Sequence, residues 1–307
     1  MKIRNANPED IEEILAMLKK AASDPRFSFM SREEYMKRFM RTPYYMRENH
    51  LLMFSGNTLV GELLASADVG YGVLKSASVG VRITFLAEYL TEENVKQILS
   101  YVESGLKTQG YTNLQITVNP DDKLRKIIEK LGFCYDSSGY WMIKEDRDLP
   151  QIRHTEGVCV RAITPTEIDE FYNLVNLSFS TDPNWQPYNY ADFAEKYIYP
   201  EYVDFQGYFI AEFEGRKVGT VAAWAHQNHG SKGLIGGEIR ALGVLPEYRK
   251  KGIGKMLLER SIIYLIKRGM QRFYLGTDSY NLPALAIYSK FGFRVFREYL
   301  RYRKKIT

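Results

Sequence analysis

The stretch IRALGVLPEYRKKGIGK, residues 239–255, decides the reading of this chain. An apolar, strand-like run ends at a proline. Four basic residues then surround two glycines, and the glycines open the stretch MLLERSIIYLIK (256–267), whose apolar spacing predicts a helix over 252–268. A glycine inside a helix costs about 1 kcal/mol relative to alanine, so two in one first turn need a reason. The first N–H groups of a helix have no partner within it, and the helix dipole adds partial positive charge there. A phosphate satisfies both, provided no Cβ holds it off the backbone. That is a role for Gly252 and Gly254, with Arg249, Lys250, Lys251 and Lys255 adding attraction. The plainer alternative is a strand-to-helix turn with exposed lysines. The spacing matches neither a GxxxxGK[ST] phosphate loop nor a GxGxxG dinucleotide fingerprint.

Outward from this turn, alternating apolar residues predict strands at QGYFIAEF (206–213) and KVGTVAAWA (217–225), joined through EGRK, and a third at GEIRALGVL (237–245). After the helix come a strand at RFYLGT, a helix over 281–290 and a strand at FRVFREYLRY. The order predicts an α+β (mixed α/β) fold, a mixed, mostly antiparallel sheet flanked by helices.

The same order is written twice. IRNANPEDIEEILAML (3–18) parallels VRAITPTEIDEFYNLV (160–175) at an offset of 157, and LRKIIEKLGFCY (124–135) parallels ALAIYSKFGFRV (284–295) at 160. Two matches in one order suggest a duplicated domain of about 155 residues. The expected division is 1–145, a polar linker 146–157 and 158–307.

The chain's net charge of +5 is uneven: residues 1–150 carry net −1 and residues 151–307 net +6. A small polyanion such as a nucleotide-containing cofactor fits that field. Nucleic acid is the less favoured partner, because there is no RNA-binding aromatic motif and no unbroken basic run beyond RYRKK. No apolar run approaches the roughly 20 residues of a membrane span, and MKIRNANPED lacks a signal peptide's apolar stretch. Cys134 and Cys159 are far apart in sequence, which fits a reducing cytoplasm and no metal site.

The spacing Arg249-x-x-Gly252-x-Gly254 after LGVLPEY resembles the acetyl-coenzyme A loop of the GNAT acyltransferases. NLPALAIYSKFGF (281–293) resembles that family's second signature: an asparagine, an alanine three later, a tyrosine four after that, then Gly-Phe. The resemblance covers most of residues 158–300. It implies an acetyl-CoA-dependent N-acetyltransferase whose two central strands splay apart around the pantetheine arm. Leu242, Gly243 and Val244 would line that arm, and the Leu242 amide would donate to the oxyanion. The backbone of Lys251, Gly252, Ile253 and Gly254 would hold the diphosphate, with Lys250 and Lys255 beside it. Asn281 would touch the pantetheine, or serve as an N-cap, or both. Tyr288 would be the acid for the leaving thiolate, although its helical face also suits a core aromatic. Alternation places Glu238, Arg240, Leu242 and Val244 on one strand face. Glu238 is a candidate base for the amine acceptor, or a solvated strand end. Arg240 either holds an acceptor carboxylate or neutralises Glu238.

Projected back by 159, the loop falls on Leu90, Glu93 and Val95, and at the offset of 160 found for the later helix Tyr288 projects to Ile128. Thr91 reads as an N-cap with acids in the first turn, so this helix start satisfies itself. The first half is therefore expected to keep the fold but to lack cofactor binding and catalysis. Walling the acceptor site, binding a partner, or pairing edges in a homodimer are possible uses for it. His226 and His229 in HQNHG read as a polar loop rather than a metal site. In STDPNWQPYNYADF (180–193), Trp185, Tyr188 and Tyr190 suit either substrate contact or packing. RFSFMSREEYMKRFM (26–40) reads as one core-facing amphipathic helix.

Overall fold

The computed structural model describes all residues except 22–29, 42–44, 67–77, 183–184, 186, 201–202, 227–234 and 307, and the side chain of Arg38. The described residues form two compact units. The first comprises residues 1–138 and 299–307, the second residues 139–298.

The first unit runs β1 (Lys2–Asn5), α1 (Ile11–Ala21), α2 (Arg32–Tyr35), β2 (Tyr45–Ser55), β3 (Thr58–Ser66), β4 (Ser78–Phe85), α3 (Glu92–Thr108), β5 (Asn113–Val118) and α4 (Lys123–Lys130). Next in the chain is β6 (Cys134–Lys144). The second unit then runs β7 (Val158–Ala162), α5 (Ile168–Phe179), α6 (Tyr190–Tyr197), β8 (Tyr208–Phe213), β9 (Arg216–His226), β10 (Gly236–Val244), α7 (Ile253–Lys267), β11 (Phe273–Asp278) and α8 (Leu282–Lys290). The last strand is β12 (Arg294–Lys305). Within each unit the sheet is mixed and mostly antiparallel: β4 pairs β5 and β10 pairs β11 in parallel, whereas β1–β2, β2–β3, β3–β4, β5–β12, β6–β11, β7–β8, β8–β9 and β9–β10 pair antiparallel.

Helices cover both faces of each sheet. In the first unit Val95, Ile98, Leu99 and Val102 of α3 pack with Leu51, Leu63, Ile83 and Leu114, while Ile11, Ile14, Leu15 and Leu18 of α1 pack with Leu52 and Leu59. In the second, Leu257, Leu258, Ile262 and Leu265 of α7 pack with Val221, Ile239 and Phe273. Phe171 and Val175 of α5 pack on the other face with Phe193, Tyr208 and Trp224. Each such side chain contributes about 1.5–3 kcal/mol when fully buried.

The duplication is visible in matching contacts. Arg4 bridges Asp10 at 2.6 Å and Arg161 bridges Glu167 at 2.7 Å, each pair fastening a first strand to the turn before the first long helix. Those turns carry the same device, a capping box (Asn7/Asp10 and Thr164/Glu167) with a proline beginning the turn. The central hairpins also share a register at an offset of 158: Ser66↔Gly80 matches Trp224↔Glu238, and Leu64↔Arg82 matches Ala222↔Arg240.

The compact units are bounded differently from the expected division 1–145 and 158–307. Gly139–Lys144 of β6 pairs antiparallel with β11 and joins the second unit, while Leu300–Lys305 of β12 pairs with β5 and joins the first. The last strand of each sequence half thus completes the sheet of the other. Two expectations of local structure are corrected. The segment 26–40 is not one helix: within its described part Ser31 caps the short α2, and the backbone continues as a π-helical turn over Met36–Met40. Finally, β10 does not alternate evenly. Between the pairs Arg240↔Ala222 and Gly243↔Thr220, Ala241 and Leu242 both oppose Val221. This is a β-bulge, and it reverses the facing of every residue after it. Leu242 and Val244 therefore pack in the α7-side cluster with Ile239, not on the face of Glu238 and Arg240, and Ala241 packs on the α5 side.

Candidate functional site

The bulge and the end of the parallel pairing coincide. β10 pairs β11 only from Gly237↔Phe273 to Ile239↔Leu275, so Arg240–Val244 run on without β11 beside them. Ala241 sits at φ 50°, a left-handed conformation uncommon for a residue with a Cβ. Its carbonyl accepts from Thr220 Oγ1 at 2.9 Å, which anchors the bulge to β9. β4 has no such feature: its pairing with β3 is regular from Gly61↔Phe85 to Ser66↔Gly80.

After β10 the chain makes a short 3-10 turn at Pro246–Tyr248 and enters the basic loop. Lys250 (φ 62°) and Gly252 (φ 82°) are both left-handed. Gly252 is the N-cap of α7 and makes no side-chain cap bond. The corresponding first-unit helix differs, since Thr91 Oγ1 accepts from the Asn94 amide at 3.2 Å. The two glycines have different reasons to be there. Gly252 is required by its positive φ, and an added Cβ would lie 3.0 Å from Thr155 Oγ1. At Gly254 an added Cβ would make only ordinary contacts, 3.7 Å to Ile287 Cδ1 and 3.8 Å to Val244 Cγ2. Among the described residues nothing demands a glycine at 254, and the bare backbone there leaves room for a diphosphate to approach.

Arg249 is engaged by the protein itself. Its guanidinium donates to the carbonyl of Val244 at 3.1 Å, Thr181 Oγ1 at 2.9 Å and the carbonyl of Ser178 at 2.7 Å. It ties the C-terminal end of α5 to the start of the loop. Asn281 is the N-cap of α8, its side chain accepting from the Ala284 amide at 3.3 Å. Tyr288 lies in the α7-side cluster with Ile253 and Leu257, and partly buried Leu242 and Val244 pack against that cluster. Burial pushes its phenol well above the ordinary tyrosine range, so the proton stays on the oxygen.

On the opposite face lies a buried polar group. Glu238 is 4% exposed. Its Oε1 accepts from Arg240 Nε at 2.6 Å, and His226 Nε2 lies 3.0 Å from Oε2. Burial alone would raise the Glu238 pKa, but Arg240 and His226 outweigh it and hold the carboxyl below its usual range. The Arg240 guanidinium stacks 5.0 Å from the Trp224 ring centroid. Of the aromatic loop, Tyr188 is buried and Tyr190 exposed, while Trp185 stacks on Phe179 at 4.8 Å. His229 lies outside the described residues. Among the described residues no three His, Cys, Asp or Glu side chains form a metal cluster.

The sequence reading missed one wall of the site. Residues 152–156, expected to be linker, lie against the basic loop. Thr155 Oγ1 donates to the Lys251 carbonyl, the Thr155 amide to Met256 Sδ at 3.5 Å, and His154 Nε2 lies 2.9 Å from Glu259 Oε2. Between this strap and the loop is a cavity of about 800 Å³, lined among others by Arg153, Thr155, Lys250, Gly252, Lys255 and Lys290.

Residues 168–293 match the family model described as Acetyltransferase (GNAT) family. A mycothiol acetyltransferase of Pseudarthrobacter chlorophenolicus is 32% identical over 154 residues, 50% of this chain and 47% of that protein. One from Saccharomonospora viridis is 29% identical over 270 residues, 82% of this chain and 83% of that protein. The chain spans about half the length of the first curated relatives it matches. Among solved structures, a GCN5-related N-acetyltransferase from Sphaerobacter thermophilus aligns with a TM-score of 0.75 at 17% identity, covering 99% of this chain and 95% of that one. A tandem GNAT protein from the clavulanic acid biosynthesis pathway aligns with a TM-score of 0.70 at 15% identity, covering 100% and 98%. The fold is that of the tandem GNAT proteins.

Proposed function

We propose that this chain, whose residues 168–293 match the GNAT acetyltransferase family model, transfers an acetyl group from acetyl-coenzyme A to an amine, and does so in its second unit. The observation that carries the reading is the start of α7: a glycine N-cap without a side-chain bond, followed by Gly254, which no contact among the described residues requires. The coenzyme thioester would supply the acetyl group, and this chain's residues would bind, orient and move protons. Backbone N–H groups of Lys251–Gly254 would take the diphosphate, with Lys250 and Lys255 adding charge. Arg249 would act from behind, holding the loop to α5 and to the end of β10. Asn281, fixed as the cap of α8, would reach the pantetheine arm beside Leu242, Gly243 and Val244.

The bulge would turn the Leu242 amide out of the ladder toward the acyl oxygen, where negative charge grows as the amine attacks. The new C–N bond forms, the C–S bond breaks, and two protons must move. Tyr288 would give its phenolic proton to the departing sulfur. The Glu238–His226 pair would accept the proton that the amine loses. The curated relatives' name points to a small-molecule acceptor, and a small polar amine is the class proposed for this chain.

The first unit is proposed to be non-catalytic. Its helix start is already capped by Thr91, β4 lacks the bulge, and Ile128, at the position of Tyr288, is fully buried in the core. Calorimetry with coenzyme A on the whole chain tests the site, with one nucleotide per chain expected. Release of free thiol that depends on an added amine separates an enzyme from a protein that only senses the coenzyme. A chain that binds no coenzyme A sinks the proposal.

A further inference from the structure

The cavity beside the basic loop carries more positive charge than a diphosphate uses. Arg153 comes from the strap, Lys250 and Lys255 from the loop and the first turn of α7, and Lys290 from the last turn of α8. Among the described residues none of these four makes an ion pair with a carboxylate. Lys251 behaves differently, its ammonium lying 4.7 Å from the Phe213 ring centroid and 5.6 Å from that of Tyr248. Among the described lining residues Glu156 is the one acid. Like charges brought around one hollow repel each other, and the arrangement becomes favourable when an anion enters.

Position separates the charges into two groups. Lys250 and Lys255 flank the α7 N-terminus, where a diphosphate would sit. Arg153 and Lys290 stand on two other elements that line the same cavity. The strap is held there by Thr155 on the Lys251 carbonyl and by His154 on Glu259. A volume of about 800 Å³ lies within the roughly 300–1,000 Å³ range of small-ligand pockets.

We propose that Arg153 of the strap and Lys290 of α8 form a second phosphate site, which takes the ribose 3′-phosphomonoester of the coenzyme and makes the protein select coenzyme A over its 3′-dephospho form. The assignment rests on the proposed coenzyme site, because the diphosphate at α7 is what would bring the ribose to the cavity. A phosphomonoester carries up to two charges near neutral pH and three acceptor oxygens. The fork of Arg153 can hold two of those oxygens while Lys290 contributes a point charge. Thr155 is a positioning residue here, since it holds the strap against the loop.

The experiment is isothermal titration calorimetry on the whole chain with coenzyme A and with 3′-dephospho-coenzyme A, for the wild type and for the double variant Arg153→Ala/Lys290→Ala. Both side chains are exposed, so the variant is expected to fold, and an unchanged circular dichroism melting curve checks this. The wild type should bind coenzyme A at least tenfold tighter than the dephospho form. In the variant that ratio should fall to within about twofold of unity, with the affinity for the dephospho form unchanged. Equal affinities in the wild type, or a preference that survives in the variant, overturn the assignment while leaving the coenzyme site standing. If neither nucleotide binds the wild type, the coenzyme site itself is wrong and this assignment goes with it.

Discussion

Arg240 Nε donates to Glu238 Oε1 at 2.6 Å, two residues apart on one face of β10. The pair holds a buried carboxylate in its charged form, against the burial that would protonate it. If the Glu238–His226 pair takes the amine's proton, Glu238→Gln should lower kcat at least tenfold and leave the Kd for coenzyme A unchanged. Because the Glu238 pKa is depressed, its carboxyl stays ionised across the assay range. The acidic limb of the pH–rate profile should therefore not arise from protonation of Glu238 itself. An unchanged kcat in the variant removes Glu238 from the chemistry.

Gly252 and Gly254 should fail in different ways. Gly254→Ala meets no clash, and alanine favours a helix by about 1 kcal/mol, so the melting temperature should hold or rise. Binding of coenzyme A should nevertheless weaken more than tenfold, because the new methyl occupies the diphosphate's approach. Gly252→Ala must place a Cβ at φ 82°, which costs roughly 1–2 kcal/mol, so it should lose stability and binding together. Paired melts and titrations of the two variants check this. A Gly254→Ala chain that binds normally would remove the loop assignment.

Tyr288→Phe should lower turnover while leaving the Kd for coenzyme A within about twofold. The phenol is the only polar atom lost from a buried ring, and phenylalanine keeps the packing against Phe293, whose ring centroid lies 6.2 Å away. Because burial raises the Tyr288 pKa, its proton is present throughout neutral and mildly basic pH. The basic limb of the wild-type profile should then lie above the ordinary tyrosine range. A variant with full turnover would leave Tyr288 as a core residue only.

What the sequence made legible, and what it hid, follows from how each feature is encoded. The helix starts, the paired boxes Asn7/Asp10 and Thr164/Glu167, and the glycine turn are local, so residue identity reports them directly. The α+β order and the duplication were readable for the same reason. The exchange of Gly139–Lys144 and Leu300–Lys305 was hidden, because a strand's pattern gives its buried face but not its partner. The bulge was hidden because Ala241 is an ordinary strand residue by type. Only the left-handed φ forced between Thr220 and Ala222 marks it, and without it Leu242 and Val244 were assigned to the wrong face. The strap was hidden because Thr155 touches Lys251 across 96 residues.

The first unit carries its own buried charge, and it sets an acid limit. Glu62 is fully buried and joined to Arg82 at 2.9 Å, to His50 at 2.9 Å and to the Tyr35 hydroxyl. Burial pushes its pKa up, but Arg82, His50 and Tyr35 together bring it from 4.5 down to about 2. A carboxyl whose pKa is depressed on folding contributes stability above its unfolded pKa and loses it as pH falls. The first unit's stability should therefore decline from about pH 4.5 toward pH 2, where Glu62 takes its proton. Glu62→Gln should remove that slope and cost on the order of 3 kcal/mol at neutral pH, because Arg82 then lacks its charged partner. Hydrogen exchange of β2–β4 amides across this pH series reads the effect in the first unit alone. A wild-type profile flat between pH 4.5 and 2.5 would show that the buried carboxylate does not govern acid stability.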